Sequence, residues 1–401
     1  MTVGRAAGLL PVAGVGFPRV MSAPTLHTIH GQPSWSFHAS LVTAHLTKVG
    51  GHLGPVEFRV GKKTVSPYSV APWAAEKLGP GLPPLLHALR GDFFCAPFGG
   101  NGTAWRGESH PPHGETANAK WRLDAFEKTG QRVTLHASLA TTVRRGRVDK
   151  FISLVDGHTA VYSRHVLSGM RGPMSLGHHA MLKFPERPGS GAVSTSRFVR
   201  GQVLPVPFEQ PENYGYSALK PGATFRSLAG VPLAAGGRAD LTGYPARKGY
   251  DDLVMLTADA KRPFAWNAVT FAAEGHVWFA LRDPRVLRHT IFWMSNGGRH
   301  YAPWNGRHTA VLGLEDVTSY FHVGLAESAK PNALSRAGFP TTLTLHPKKP
   351  TTVNTIMAVA AIPPGFDRVA EIRAAGDGVE LVAASGQRAT CALDVGFLGQ
   401  G

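Results

Sequence analysis

The chain of 401 residues is 43% hydrophobic, enough apolar material for a large core, which excludes a disordered polymer. Its formal net charge of +16 is dispersed, with Arg144-Arg145-Gly146-Arg147 the densest cluster, so a solvated basic surface is expected and no nucleic-acid partner. No run of eighteen apolar residues exists, which predicts no membrane span, and Cys95 and Cys391 lack metal or redox spacing and read as buried thiols.

Residues 1–24 hold a Gly/Pro-broken apolar run, Ala6 to Phe17, and are expected to be a poorly structured N-terminus or a mis-assigned start ahead of Met21. A cytoplasmic protein is expected, with export through a poor N-terminal signal as the alternative. The 47 glycines and 31 prolines, with few helical patterns, predict many short strands and an all-β class over residues 25–401 as one domain.

In chain order, Val56 to Val60 reads as a strand closed by Gly61-Lys62-Lys63, and Leu85 to Leu89 as a short helix among prolines. Strands are predicted around Val133 to Leu139, at Phe151 to Val155 ending in the hairpin signal Asp156-Gly157, and at Thr159 to Leu167. Gly177 to Phe184 is another. Residues 185–250, rich in Pro and Gly, are a long excursion expected to lie over a site or to pair as irregular short strands. Further strands are predicted at Val254 to Leu256, Trp266 to Phe271, His276 to Leu281, Thr290 to Met294, Thr309 to Glu315, Ser319 to Val323, Thr341 to Leu345 and Thr352 to Ala360. The tail reads as a helix: Phe366, Val369 and Ile372 share a helical face between Pro363-Pro364 and Gly376.

Candidate chemistry concentrates between Arg90 and Trp121, where Arg90, Asp92, His110, His113 and Glu115 flank an aromatic run and Gly/Pro loops. Arg90 offers a fork of donors to hydroxyls, carboxylates or phosphates; the alternative is a buried structural pair with Asp92. His113 could bond a sugar hydroxyl or act as an acid, or be a plain loop residue. His110, His113 and Glu115 together also permit a metal site of cupin type. His178 and His179 open a strand and read equally as core-edge residues. Glu315, closing an apolar strand, should have a raised pKa if buried and could serve as a base, unless an arginine pairs with it. Trp304, between Pro303 and Asn305, offers a flat face suited to a sugar ring. No nucleophile elbow, P-loop or dinucleotide fingerprint is present.

The order of these parts resembles aldose 1-epimerase and the galactose mutarotase-like superfamily. The carrying features are an Arg before an aromatic strand, His113-Gly114 with Trp121 beyond it, a His opening a strand, Glu315 after Gly313-Leu314, and Phe339-Pro340-Thr341-Thr342-Leu343-Thr344-Leu345-His346-Pro347. The resemblance implies a β-supersandwich of two large antiparallel sheets with a sugar or sugar phosphate in a cleft. It implies Arg90 and His113 on sugar hydroxyls; Asp92, Glu115 and Trp304 are further substrate-binding candidates. His179, or His178 beside it, would be the acid at the ring oxygen, and Glu315 the base at the anomeric hydroxyl, with no metal or cofactor. The chain departs from the pattern at Gly114-Glu115 and Pro347-Lys348, and no middle aspartate matches surely; Asp240, Asp251 and Asp252 are candidates. A carbohydrate-binding protein without turnover is the alternative on the same fold.

Overall fold

The computed structural model describes residues 19–400. The expectation for the N-terminus therefore falls largely outside the described residues; within them, Arg19–Val20 already pairs as a short strand with Lys128 and Glu127.

Short apolar runs broken by glycine and proline cannot sustain helices, and here they pair as antiparallel strands. Among the described residues two large sheets form, one of ten strands and one of eight. The ten-stranded sheet includes Arg132–Thr141, Gly146–Val155, Ala160–Ser168, Thr351–Ala361, His276–Arg282 and Ala265–Phe271 as successive neighbours. The eight-stranded sheet runs through Phe198–Val203, Tyr250–Ala258, His289–Asn296 and Val311–Thr318. Leu176–His178 and Ala180–Lys183 then lie along Val311–Thr318, with Phe94–Cys95 beyond.

Side chains alternate between the faces of a strand, so each sheet must be covered twice. Phe292, Met294, Leu312 and Leu314 point inward and share one core with Trp278, Met357 and Val359 of the ten-stranded sheet. Their neighbours Ile291, Trp293, Val311 and Val317 point outward into a second core, which also takes in the turns around Trp73, Phe93 and Trp304. On the far face of the ten-stranded sheet, Tyr162, Trp266, Phe279 and Ile356 are covered by a three-stranded sheet bearing Val369, Ile372, Val379 and Leu381. The result is the β-supersandwich that the family resemblance implied, with each buried large apolar side chain contributing roughly 1.5–3 kcal/mol.

Two expectations are corrected. The tail is a strand, Val369–Ala375, and not a helix. A one-residue bulge between Val369 and Glu371 puts Val369 and Ile372, three apart, on one face of a strand, so the spacing imitates a helical stripe. The stretch Ser319 to Val323 is a turn and not a strand. Val311–Thr318 ends at Thr318, Ser319 Oγ donates to the Phe321 carbonyl, and Phe321 sits at φ +47°. The excursion over 185–250 resolves into short strands such as Gly191–Thr195 and Phe198–Val203, joined by irregular loops.

Candidate functional site

Strand alternation builds the site. His179 lies between Leu176–His178 and Ala180–Lys183, and the pairing on either side of it sets His179 opposite Glu315 and His178 opposite Asp316. His179 and Glu315 face the outer core, and His178 and Asp316 face the inner one. His179 Nε2 is 3.2 Å from Glu315 Oε1, with the two side chains only 7% and 2% exposed. Gly313 leaves the space the carboxyl occupies, since a Cβ there would come within 2.8 Å of Glu315 Oε1 and 3.1 Å of Trp293.

The imidazole of His179 is held flat against Phe93, centroids 4.5 Å apart, and edge-on to His113 at 5.1 Å and to Trp293 at 5.7 Å. His113 is placed by a loop in the left-handed region, φ +58°, where its N–H donates to the Gly99 carbonyl and its Nδ1 lies 3.4 Å from Cys95 Sγ. A non-glycine residue held at positive φ is strained, and such strain gathers at functional sites.

These groups line a cavity of about 190 Å³. Leu85, Leu86 and Leu89 of the short helical segment, Phe93, Leu253 and Trp293 supply much of the wall. Trp304 and Phe208 add further aromatic surface, and His322 and Arg299 complete the polar groups. Arg299 Nε donates to Glu209 at 2.6 Å and lies 3.5 Å from Asp251, while its guanidinium packs over Trp304 at 4.5 Å and Phe208 at 4.8 Å. Burial pulls the guanidinium down, but the Glu209 and Asp251 carboxylates outweigh it and hold Arg299 above the usual arginine range. Burial pushes Glu315 well above the usual carboxylate range, against the opposing pull of Arg299. Burial likewise holds His179 well below the usual histidine range, reinforced by His113. His113 and His322 are lowered too, first by burial. Both shifts favour the uncharged forms, a protonated carboxyl beside a neutral imidazole.

Of the residues expected at the site, His113, His179, Glu315 and Trp304 meet in this cavity. Five others go elsewhere. Arg90 is fully buried and spends its donors on carbonyls: Nε to Ala88, Nη1 to Ile29 and Nη2 to His30, tying the N-terminal hairpin to the body. Asp92 accepts from His178 Nδ1 at 2.8 Å, and His178 Nε2 meets Thr355 Oγ1 at 3.2 Å, all on the inner face. Glu115 accepts from the Thr142 and Val143 amides and the Thr142 hydroxyl. His110 meets Glu108 at 3.1 Å, so His110, His113 and Glu115 do not converge as a metal cluster would require. Among the described residues, Asp124, His136 and Asp149 do converge, but Arg122 and Arg147 already engage those carboxylates.

Arg299 and His322 were not anticipated. Arg299 lies outside every strand predicted from the sequence, and His322 lay in a stretch read as strand. Of the aspartate candidates, Asp251 contacts Arg299 and accepts from the Gly298 amide, whereas Asp252 caps the Ala218 and Leu219 amides.

No family model matches the sequence, and no curated protein matches it. Solved structures do. A candidate aldose 1-epimerase of Escherichia coli superposes with TM-score 0.55 at 12% identity, over 83% of this chain and all of that one. A galactose mutarotase-like protein of Clostridium acetobutylicum gives 0.52 at 13% identity, over 87% of this chain and 99% of that one. A galactose mutarotase related enzyme of Lactobacillus acidophilus gives 0.51 at 11% identity, over 81% and 97%. The order of sheets and the extent of these superpositions assign the chain to the galactose mutarotase-like fold.

Proposed function

We propose that the protein interconverts the anomers of a small sugar without a cofactor, by general acid and base catalysis in the cavity around Glu315 and His179. The observation that carries this reading is the His179 Nε2 to Glu315 Oε1 approach of 3.2 Å inside a cavity sized for one small ring. The neighbours named as epimerases and mutarotase-like proteins support it at the level of the fold.

Anomer exchange needs a proton taken from O1 while another is given to the ring oxygen. The C1–C2 bond then turns, and the ring closes on its other face with the transfers reversed. A pair of groups sharing one proton serves both directions. Burial favours the protonated carboxyl and the neutral imidazole, which suits Glu315 to donate to the ring oxygen and His179 to accept from O1. This inverts the roles that the family resemblance implies. His113, edge-on to His179, would bond a ring hydroxyl, and Trp293 and Trp304 add apolar wall beside the ring.

Saturation-transfer NMR of α/β exchange over a panel of sugars tests the reading. Glu315→Gln, which keeps the shape and removes proton transfer, should abolish the acceleration. Unchanged exchange by a folded Glu315→Gln variant would sink it.

A further inference from the structure

The walls of the cavity carry an inference about the substrate, which rests on the function proposed above. A fully hydroxylated pyranose presents polar groups around its whole rim, and each buried hydroxyl needs a partner. Here the polar side chains of the cavity are His113, His179, Glu315, His322 and Arg299. Arg299 gives its Nε to Glu209, lies 3.5 Å from Asp251 and is sandwiched among aromatic rings, so its charge is already met by two carboxylates. The side chains that could have met further hydroxyls, Arg90, Asp92 and Glu115, are bonded elsewhere. The rest of the wall is apolar: Leu86, Leu89, Phe93, Leu253, Trp293 and Trp304 are among its residues.

We propose that the cavity selects a cyclic hemiacetal with one polar edge and an otherwise apolar rim, a deoxy sugar, over the parent hexose or its phosphate. The polar edge carries the anomeric hydroxyl and ring oxygen and meets His179, Glu315 and His113. The deoxy positions meet the leucines and tryptophans. A hydroxyl facing that wall forfeits its water without gaining a partner, a loss worth roughly 5- to 150-fold in affinity, whereas a methyl group there is favourable.

Affinities of the intact protein are measured by tryptophan fluorescence and calorimetry for D-galactose, 6-deoxy-D-galactose, D-glucose, 2-deoxy-D-glucose and D-glucose 6-phosphate. Anomer exchange is followed on the same samples. At least about tenfold tighter binding of a deoxy sugar than of its parent is expected, with the phosphate weakest. Leu86→Gln, a change at a partly exposed wall position, should narrow the preference by giving a hydroxyl a partner. Equal or tighter binding of the parent or the phosphate overturns the inference, as does binding of none of the five, or a preference untouched by Leu86→Gln. Deoxy-selective binding without accelerated exchange supports it while refuting the proposed catalysis. Accelerated exchange with a preference for the parent hexose does the reverse.

Discussion

Two faces of one sheet hold nearly the same residues and treat them in opposite ways. On the inner face, Asp316 accepts from Asn267 at 2.7 Å and Thr290 at 2.8 Å and lies 2.8 Å from Arg282, and His178 is bonded at both nitrogens. On the outer face, one residue away in each case, Glu315 and His179 have each other and a cavity. The Nδ1 of His179 has no hydrogen-bond partner among the described residues. Burying a carboxylate or an imidazole is costly, and the inner pair offsets that cost with partners. The outer pair has fewer partners, and burial favours its uncharged forms, which leaves both groups with bonding capacity for a ligand.

The comparison can be broken in four ways. The largest effect is expected from Glu315→Gln, with anomer exchange falling about 100- to 10,000-fold. Its melting temperature should stay at or above that of the native protein, because a buried titratable group has gone. Asp316→Ala should do the opposite. It strands Arg282 in the inner core and should lower stability by about 3–5 kcal/mol in urea unfolding, with exchange per folded molecule largely retained. An Asp316→Ala protein that loses activity without losing stability would refute the separation of the two faces.

Arg90→Met should cost about 2–3 kcal/mol, by leaving the carbonyls of Ile29, His30 and Ala88 without their donors. Sugar affinity measured on the folded fraction should not change; a selective loss of binding would restore Arg90 to the site.

A further effect is the slope of stability with pH. Burial holds His52, His289 and His308 down to about 3, so below pH 6.5 the unfolded chain takes up protons that the folded chain refuses. Stability should therefore fall as pH drops from 6.5 toward 3, by about 1.4 kcal/mol per pH unit for each such histidine. Glu315 has the opposite sign: its raised pKa means stability falls as pH rises above 4.5 toward its folded value. Denaturation midpoints of native and Glu315→Gln protein between pH 4 and 8 should diverge with rising pH, the variant gaining.

Much of this architecture was legible in the residues. Alternating apolar runs marked the strands that flank the cavity, and Gly313-Leu314-Glu315 marked a carboxylate on one of them, although that strand does not close at Glu315 but runs on to Thr318. The tail was misread because a bulge in a strand and a turn of helix both set apolar residues three apart. Arg90, Asp92 and Glu115 carried suitable chemistry, yet nothing local showed that carbonyls, a histidine and a pair of loop amides would claim them.

Composition and periodicity by themselves determined an all-β chain of antiparallel strands, because glycine and proline interrupt helices and alternation needs only two faces. They also brought Glu315 and a histidine pair forward as candidates. Only the tertiary structure decided which histidine meets Glu315, since that depends on the register between two strands more than a hundred residues apart, and a slip of one residue would exchange His179 for His178. Arg299 and His322 reached the cavity by the same means, through turns whose direction is set by what packs against them.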